Sequence, residues 1–170
     1  MNFAQLRREM EYQQIPLYCY LTRELYNPVW HLKWDIHEAI IKRNRLGKEA
    51  QAKHADWLFS MQNCALLNSD AHNQMGQHKR TVWLHVWHKL NCGIDMTAWA
   101  KQLYDFKAFT VEALVVESLI KDFKAGTPLR FESYHTYYGP NKQWESISLI
   151  WPVGEPIWRV EEGVEHGEVE

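Results

Sequence analysis

The sequence predicts a small α+β domain, with helices first and a C-terminal three-stranded antiparallel β-meander last. Three observations carry that reading. Apolar residues recur at helical spacing through the first three-quarters of the chain. After Pro128 the period changes to alternation. Turn signals at Gly139-Pro140-Asn141-Lys142 and between Pro152 and Pro156 then divide the last quarter into strand-length pieces. At 170 residues and 20.3 kDa the chain suits one domain over residues 1–160, followed by an acidic tail over 161–170.

Phe3, Leu6 and Met10 place a first helix over residues 3–13, stopped by Pro16. A short helix over 21–26 ends at Asn27-Pro28. Pro28 then suits the first helical position after an Asn27 cap, and Trp30, Trp34, His37 and Ile41 form an apolar stripe. Gly47 breaks that helix. A second helix from about Lys48 to Leu67, with Ala50, His54, Trp57, Leu58, Met61 and Leu66 on one broad face, completes an αα-hairpin. The polar stretch 68–78 reads as a loop.

Residues 81–90, TVWLHVWHKL, fit a strand by composition and a helix by the spacing of Trp83, Val86, Trp87 and Leu90. The stop signal Asn91-Cys92-Gly93 favours the helix. Asp95 or Thr97 caps a helix ending near Phe106. Thr110 caps the next, which Gly126 and Pro128 terminate; its Val111, Leu114, Val115, Leu119, Ile120 and Phe123 predict the most buried helix of the chain. Strands follow over 129–138 and 143–151, with a short third over 157–160. In the first strand Phe131, Ser133, His135 and Tyr137 are expected to face the core and Tyr134 and Tyr138 to face outward.

Charge and composition exclude several function classes. Nineteen basic residues stand against 21 acidic ones, for a net charge of −2 and a pI near 6.5. A 46% hydrophobic fraction excludes a disordered chain. No run of 18 uncharged apolar residues is present, and the charged start MNFAQLRREMEY has no signal-peptide core. Cys19, Cys64 and Cys92 form no C-x-x-C and no even-numbered framework. The expectation is a cytoplasmic protein with no membrane partner.

His31, Asp35 and Glu38 would share a helix face, as would His85, His88 and Cys92, yet neither set matches an established metal pattern. No nucleophile elbow and no nucleotide-binding glycine motif occurs. No metal, no cofactor and no catalytic residue is therefore assigned, and function by binding ranks above an enzyme with a His/carboxylate site.

Two surfaces can carry binding. The glutamates of 161–170 stand apart from a slightly basic body, in which Lys42, Arg43, Arg45, Lys48 and Lys53 form the densest positive stretch, extended by Lys79 and Arg80. On an αα-hairpin tip these could neutralise phosphates, which makes nucleic acid an alternative partner. Aromatics, 14% of all residues, supply the preferred surface. Tyr134, Tyr138, Trp144 and Trp158 lie in the meander, whose helices can cover only one face, and Tyr and Trp dominate interface hot spots. They predict an accessory or regulatory protein with a protein partner or self-association. The stretch Trp87-His88-Lys89-Leu90-Asn91-Cys92-Gly93 resembles one found in antirestriction proteins that mimic DNA. That family is strongly acidic and this body is not, so the resemblance implies at most an accessory protein of a mobile element.

Overall fold

Helices and antiparallel sheets are both present, but the first half of the chain is not the helical hairpin its spacing predicts. The computed structural model describes residues 3–13, 18–26, 33–75, 81–138, 143–160 and 162–163. Helix α1 (Phe3–Gln13) buries Leu6 and Met10, one turn apart, as expected. Residues 18–25 form a tight bridged turn where a helix was expected. Tyr18 pairs with Leu25, and the N–H groups of Arg23 and Cys19 donate to Cys19 O (2.8 Å) and Glu24 O (2.9 Å). Arg23 takes a left-handed backbone (φ +61°), at a cost of ~1–2 kcal/mol for a residue with a Cβ. Its guanidinium donates to the carbonyls of Ile157 (3.2 Å) and Val160, clamping the turn onto the C-terminal segment.

The largest correction follows. Trp34–Glu38 is strand β1, paired antiparallel with strand β2 (Cys64–Asn68), Trp34 opposite Asn68 and Glu38 opposite Cys64. Trp30, placed on the same expected stripe, lies outside the described residues. The expected helix over 48–67 reduces to α2 (Lys48–Lys53) and α3 (Ala55–Leu58), interrupted at His54. The physical reason is burial on both faces. Cys64, Ala65, Leu66 and Leu67 are all buried, so the run carries no period, and an interior strand cannot be told from a buried helix by spacing. The expected loop after it is also partly helical. Asn68 Oδ1 accepts from the N–H groups of Asp70 (3.0 Å) and Ala71 (3.4 Å), starting α4 (Ser69–Met75).

Asn63 closes the two-stranded sheet at its turn. It is fully buried; its Nδ2 donates to Ile41 O (2.8 Å) and Leu58 O (2.9 Å), and its Oδ1 accepts from Ile41 N (2.9 Å) and Ile40 N (3.3 Å). Ala39 N–H also donates to Asn63 O (2.8 Å).

Residues 81–91 are helix, α5 (Thr81–Asn91), as the stop signal indicated. Gly93 (φ +77°) ends it: Gly93 N–H donates to Leu90 O (3.0 Å) and Ile94 N–H to Lys89 O (3.1 Å), the paired bonds of a Schellman cap. Helix α6 (Thr97–Lys101) runs into 3₁₀ turns over 102–105 and 107–109, and α7 (Thr110–Lys124) ends in the same kind of cap at Gly126. The expected ranking of burial is reversed. Helix α5 buries residues all round, whereas α7 buries Ala113, Val116 and Leu119 but leaves Val111 71% and Leu114 57% exposed.

Strands β3 (Leu129–Tyr138) and β4 (Gln143–Trp151) form the expected hairpin; its turn, 139–142, lies outside the described residues. The full meander is not formed as expected. Residues 157–159 make a 3₁₀ turn, and only the two-residue β5 (Glu162–Gly163) extends β4, opposite Ser148 and Leu149. Of the acidic tail, 161 and 164–170 lie outside the described residues.

Replacing Asn63 with Ala removes two side-chain donors and an acceptor from buried backbone groups, so Asn63→Ala should lower stability by about 3–5 kcal/mol in urea unfolding. A loss below about 1 kcal/mol would show that water replaces the amide freely.

Candidate functional site

The aromatic hairpin is the first candidate. Its base is core, with Leu129 opposite Trp151 and Phe131 opposite Leu149. Beyond it the register shifts by one residue between Phe131 and Tyr134, so that Tyr134 stands opposite Ile147 and Tyr137 opposite Trp144. The extra residue reverses the expected alternation. Positions 134, 136 and 138 fall in step with Ile147, Leu149 and Trp151, while 135 and 137 fall on the opposite face of the ribbon. Tyr134 and Tyr138 therefore continue the face whose base enters the core, and Tyr137 and Trp144 form a cross-strand pair on the other. Their side chains lie outside the described part of the structure. Trp158 belongs to the 3₁₀ turn after Pro156, half-buried with its ring edge-on to Tyr18 at 4.5 Å.

The basic stretch does not sit on a helical hairpin tip. It follows β1 through a 3₁₀ turn at 43–45 into α2. Arg45 Nη1 lies 2.6 Å from Glu112 Oε1, and its guanidinium packs 4.7 Å over Phe109, tying this segment to α7. Arg43 lies 5.7 Å over Phe59 and 3.9 Å from Glu38 Oε1. Lys42 is partly buried, while Lys48 and Lys53 are exposed. Lys79 and Arg80 lie outside the described residues.

The two His-containing sets that the spacing singled out fare differently. His31 lies outside the described residues, and Asp35 and Glu38, three apart in a strand, point to opposite faces. Asp35 meets His72 of α4 instead (Oδ2 to Nδ1, 3.3 Å), with His37 edge-on to that ring at 4.9 Å. His85, His88 and Cys92 do share a face of α5, and Cys92 Sγ lies 3.8 Å from His88 Nδ1. Among the described residues, however, no three His, Cys, Asp or Glu side chains are arranged to hold a metal ion.

What sequence reasoning missed is what α5 buries. His85, His88 and Lys89 are at most 2% exposed, packed against Tyr18 and Tyr20, whose rings lie 4.5 Å and 5.7 Å from His88. His85 Nε2–H donates to Gln62 O (2.7 Å), which leaves the Nδ1 lone pair inside the protein. Among the described residues neither that Nδ1 nor Lys89 Nζ has a hydrogen-bond partner. Burial lowers the Lys89 ammonium to about 8, with Cys92 and Cys64 opposing the shift. Burial also lowers His37 to about 3, helped by His72 and Lys42, and pushes His85 and His88 well below the ordinary range, with the Lys89 charge adding to it. A lysine inside an otherwise apolar helical run was the available signal, but at the last turn of a helix it reads as a solvated end.

An open cleft of about 920 Å³ lies next to this cluster. Gln5 and Glu9 of α1, Asp56, the segment from Phe59 to Gln62, and Cys92 to Asp95 line it, with three carboxylates and no lysine or arginine among the described residues. Gln62 and Cys92 belong to both places: Gln62 O holds His85, and Cys92 lies one turn beyond Lys89. Gln62 Nε2 further donates to Asp95 O (3.2 Å), joining two lining segments of the cleft. The stretch 87–93 that resembles antirestriction proteins is the buried end of α5 and its cap. Compared with family models, with curated proteins and with solved structures, the chain matches none.

The three depressed imidazoles set a pH dependence. Each stays neutral when folded but takes a proton at its ordinary value when unfolded, so acid favours the unfolded chain. Stability should fall as pH drops below 6.5, by up to ~1.4 kcal/mol per pH unit for each histidine, with the window for His37 reaching down to about 3. Urea midpoints between pH 7 and 5 measure the slope; a flat profile would mean that these imidazoles are protonated in the fold.

Lys89 has the same sign in another window. Between about 8 and 10.5 only the unfolded chain holds its proton, so stability rises with pH there and Lys89 weakens the fold fully below it. Lys89→Met should stabilise the protein at pH 7, on the order of 3 kcal/mol, and the gain should vanish above about pH 10.5.

Proposed function

We propose that this protein acts by binding, as an accessory or regulatory protein that docks on another protein or on a second copy of itself through the outer part of the β3–β4 hairpin. The supporting observation is the isolation of that ribbon. Among the described residues its strands pack mainly on each other, joined by α7 and β5 near the base. Beyond the register shift it runs on for five residues of β3, roughly 15 Å. A ribbon of two strands has no interior and is marginal in water without a covering layer. This one carries Tyr134 and Tyr138 in step on one face and the Tyr137–Trp144 pair on the other. Large aromatic surface gains most from being covered, and a large apolar patch left bare is a liability.

Nucleic acid is the less favoured partner, because Arg43 and Arg45 are already engaged with Glu38, Phe59, Glu112 and Phe109. Two double variants test the proposal, Tyr134→Ser with Tyr138→Ser, and Tyr137→Ser with Trp144→Ser. At least one should abolish association, read by light scattering for a second copy and by co-purification for another protein. Both should leave the melting temperature within about 3 °C of the parent. Association that survives both pairs, or unfolding of both variants, would remove the hairpin as the docking element.

A further inference from the structure

We propose that Lys89 is a carbonyl-trapping amine, reached from the cleft past Cys92 and Gln62, and that His85 Nδ1 shuttles the proton of the reaction. This site is separate from the hairpin and does not depend on its docking role. Three features of geometry support it. Lys89 Nζ and His85 Nδ1 sit four residues apart on one helical face, the first a donor and the second an acceptor, both fully buried and both without a partner among the described residues. Such a pair leaves room in its bonding, though not in its packing alone, for a molecule that accepts from one and donates to the other. The cleft is lined by Cys92 and Gln62, which also border the pair: Gln62 O holds His85, and Cys92 acts on the Lys89 charge.

The chemistry is condensation. The amine nitrogen forms a bond to the carbonyl carbon, one of its hydrogens passes by way of His85 to the carbonyl oxygen, and a carbinolamine results. Loss of the second nitrogen hydrogen with the hydroxyl group, as water, gives the imine; no oxidant or reductant takes part. A buried lysine with a weakened hold on its proton keeps a neutral, nucleophilic fraction at neutral pH. Cys64, Cys92, His88 and His85 are the titratable neighbours that act on it or feel its charge. Among the described residues the approach is lined by Glu9, Asp56 and Asp95 and by no lysine or arginine, which favours neutral or cationic aldehydes over anionic oxo acids.

The test is reductive trapping on the intact chain at pH 7, with propanal or glyoxylate and cyanoborohydride, followed by peptide mass mapping. Propanal should label Lys89 in the folded protein about tenfold faster than it labels the exposed Lys48, Lys53 and Lys101, and glyoxylate should not. Lys89→Met should fold and lose the adduct. His85→Gln, which can keep the bond to Gln62 O but supplies no base, should slow trapping about tenfold at unchanged thermal stability. If Lys89 is labelled only at urea concentrations that unfold the chain, it is a sealed core lysine and the proposal fails. An unchanged rate in His85→Gln removes the assigned proton route.

Discussion

The side chain of Asn63 holds the first sheet to the turn that connects its strands. One amide bonds four backbone groups at once, those of Ile40 and Ile41 where the chain leaves β1 and of Leu58 where α3 ends, and its own backbone receives Ala39. All of these groups are inside the protein, where an unmet polar group costs more than a made bond contributes. These bonds join the chain leaving β1 to the segment entering β2, and Phe59 to Gln62 of that segment line the cleft. Fold and cleft therefore share one constraint.

A second corner is aromatic. Trp57 and Trp99 stack at 4.8 Å and 16°, and each indole N–H donates to the other residue's backbone carbonyl (3.1 and 2.8 Å). Phe106 continues the stack on Trp57 at 5.4 Å. This arrangement satisfies both polar handles inside the core and fixes α3 against α6. It also shows that helical tryptophans here are part of the core: Trp57, Trp87 and Trp99 are all buried.

Helix α5 is the exception to this economy. Two neutral imidazoles and a lysine lie where apolar side chains would make a more stable core, and a buried cation without a partner weakens a fold. A fold that keeps such groups inside, beside an open cleft, has them where reactive chemistry needs them, dry and with shifted proton affinities.

The elements that the sequence determined by itself are those with local signals. Helix α1 has its apolar spacing, α5 and α7 have glycine caps, and the β3–β4 hairpin has alternating sequence on both sides of the Gly-Pro-Asn turn signal. These are choices of backbone conformation that neighbouring residues impose. The aromatic hairpin and the His85–His88 pair were likewise visible in the sequence as candidates. Tertiary structure decided the rest. Trp34–Glu38 and Cys64–Asn68 are strands because each supplies the other's hydrogen bonds, and in the second strand burial on both faces erases the period that would have announced it. The register shift after Phe131 turned Tyr134 and Tyr138 to the other face, since one extra residue in a two-residue period inverts everything beyond it. Lys89 became a candidate only once α5 was buried, because burial, and the lack of a hydrogen-bond partner among the described residues, are properties of the packed chain and leave no mark on the order of its residues.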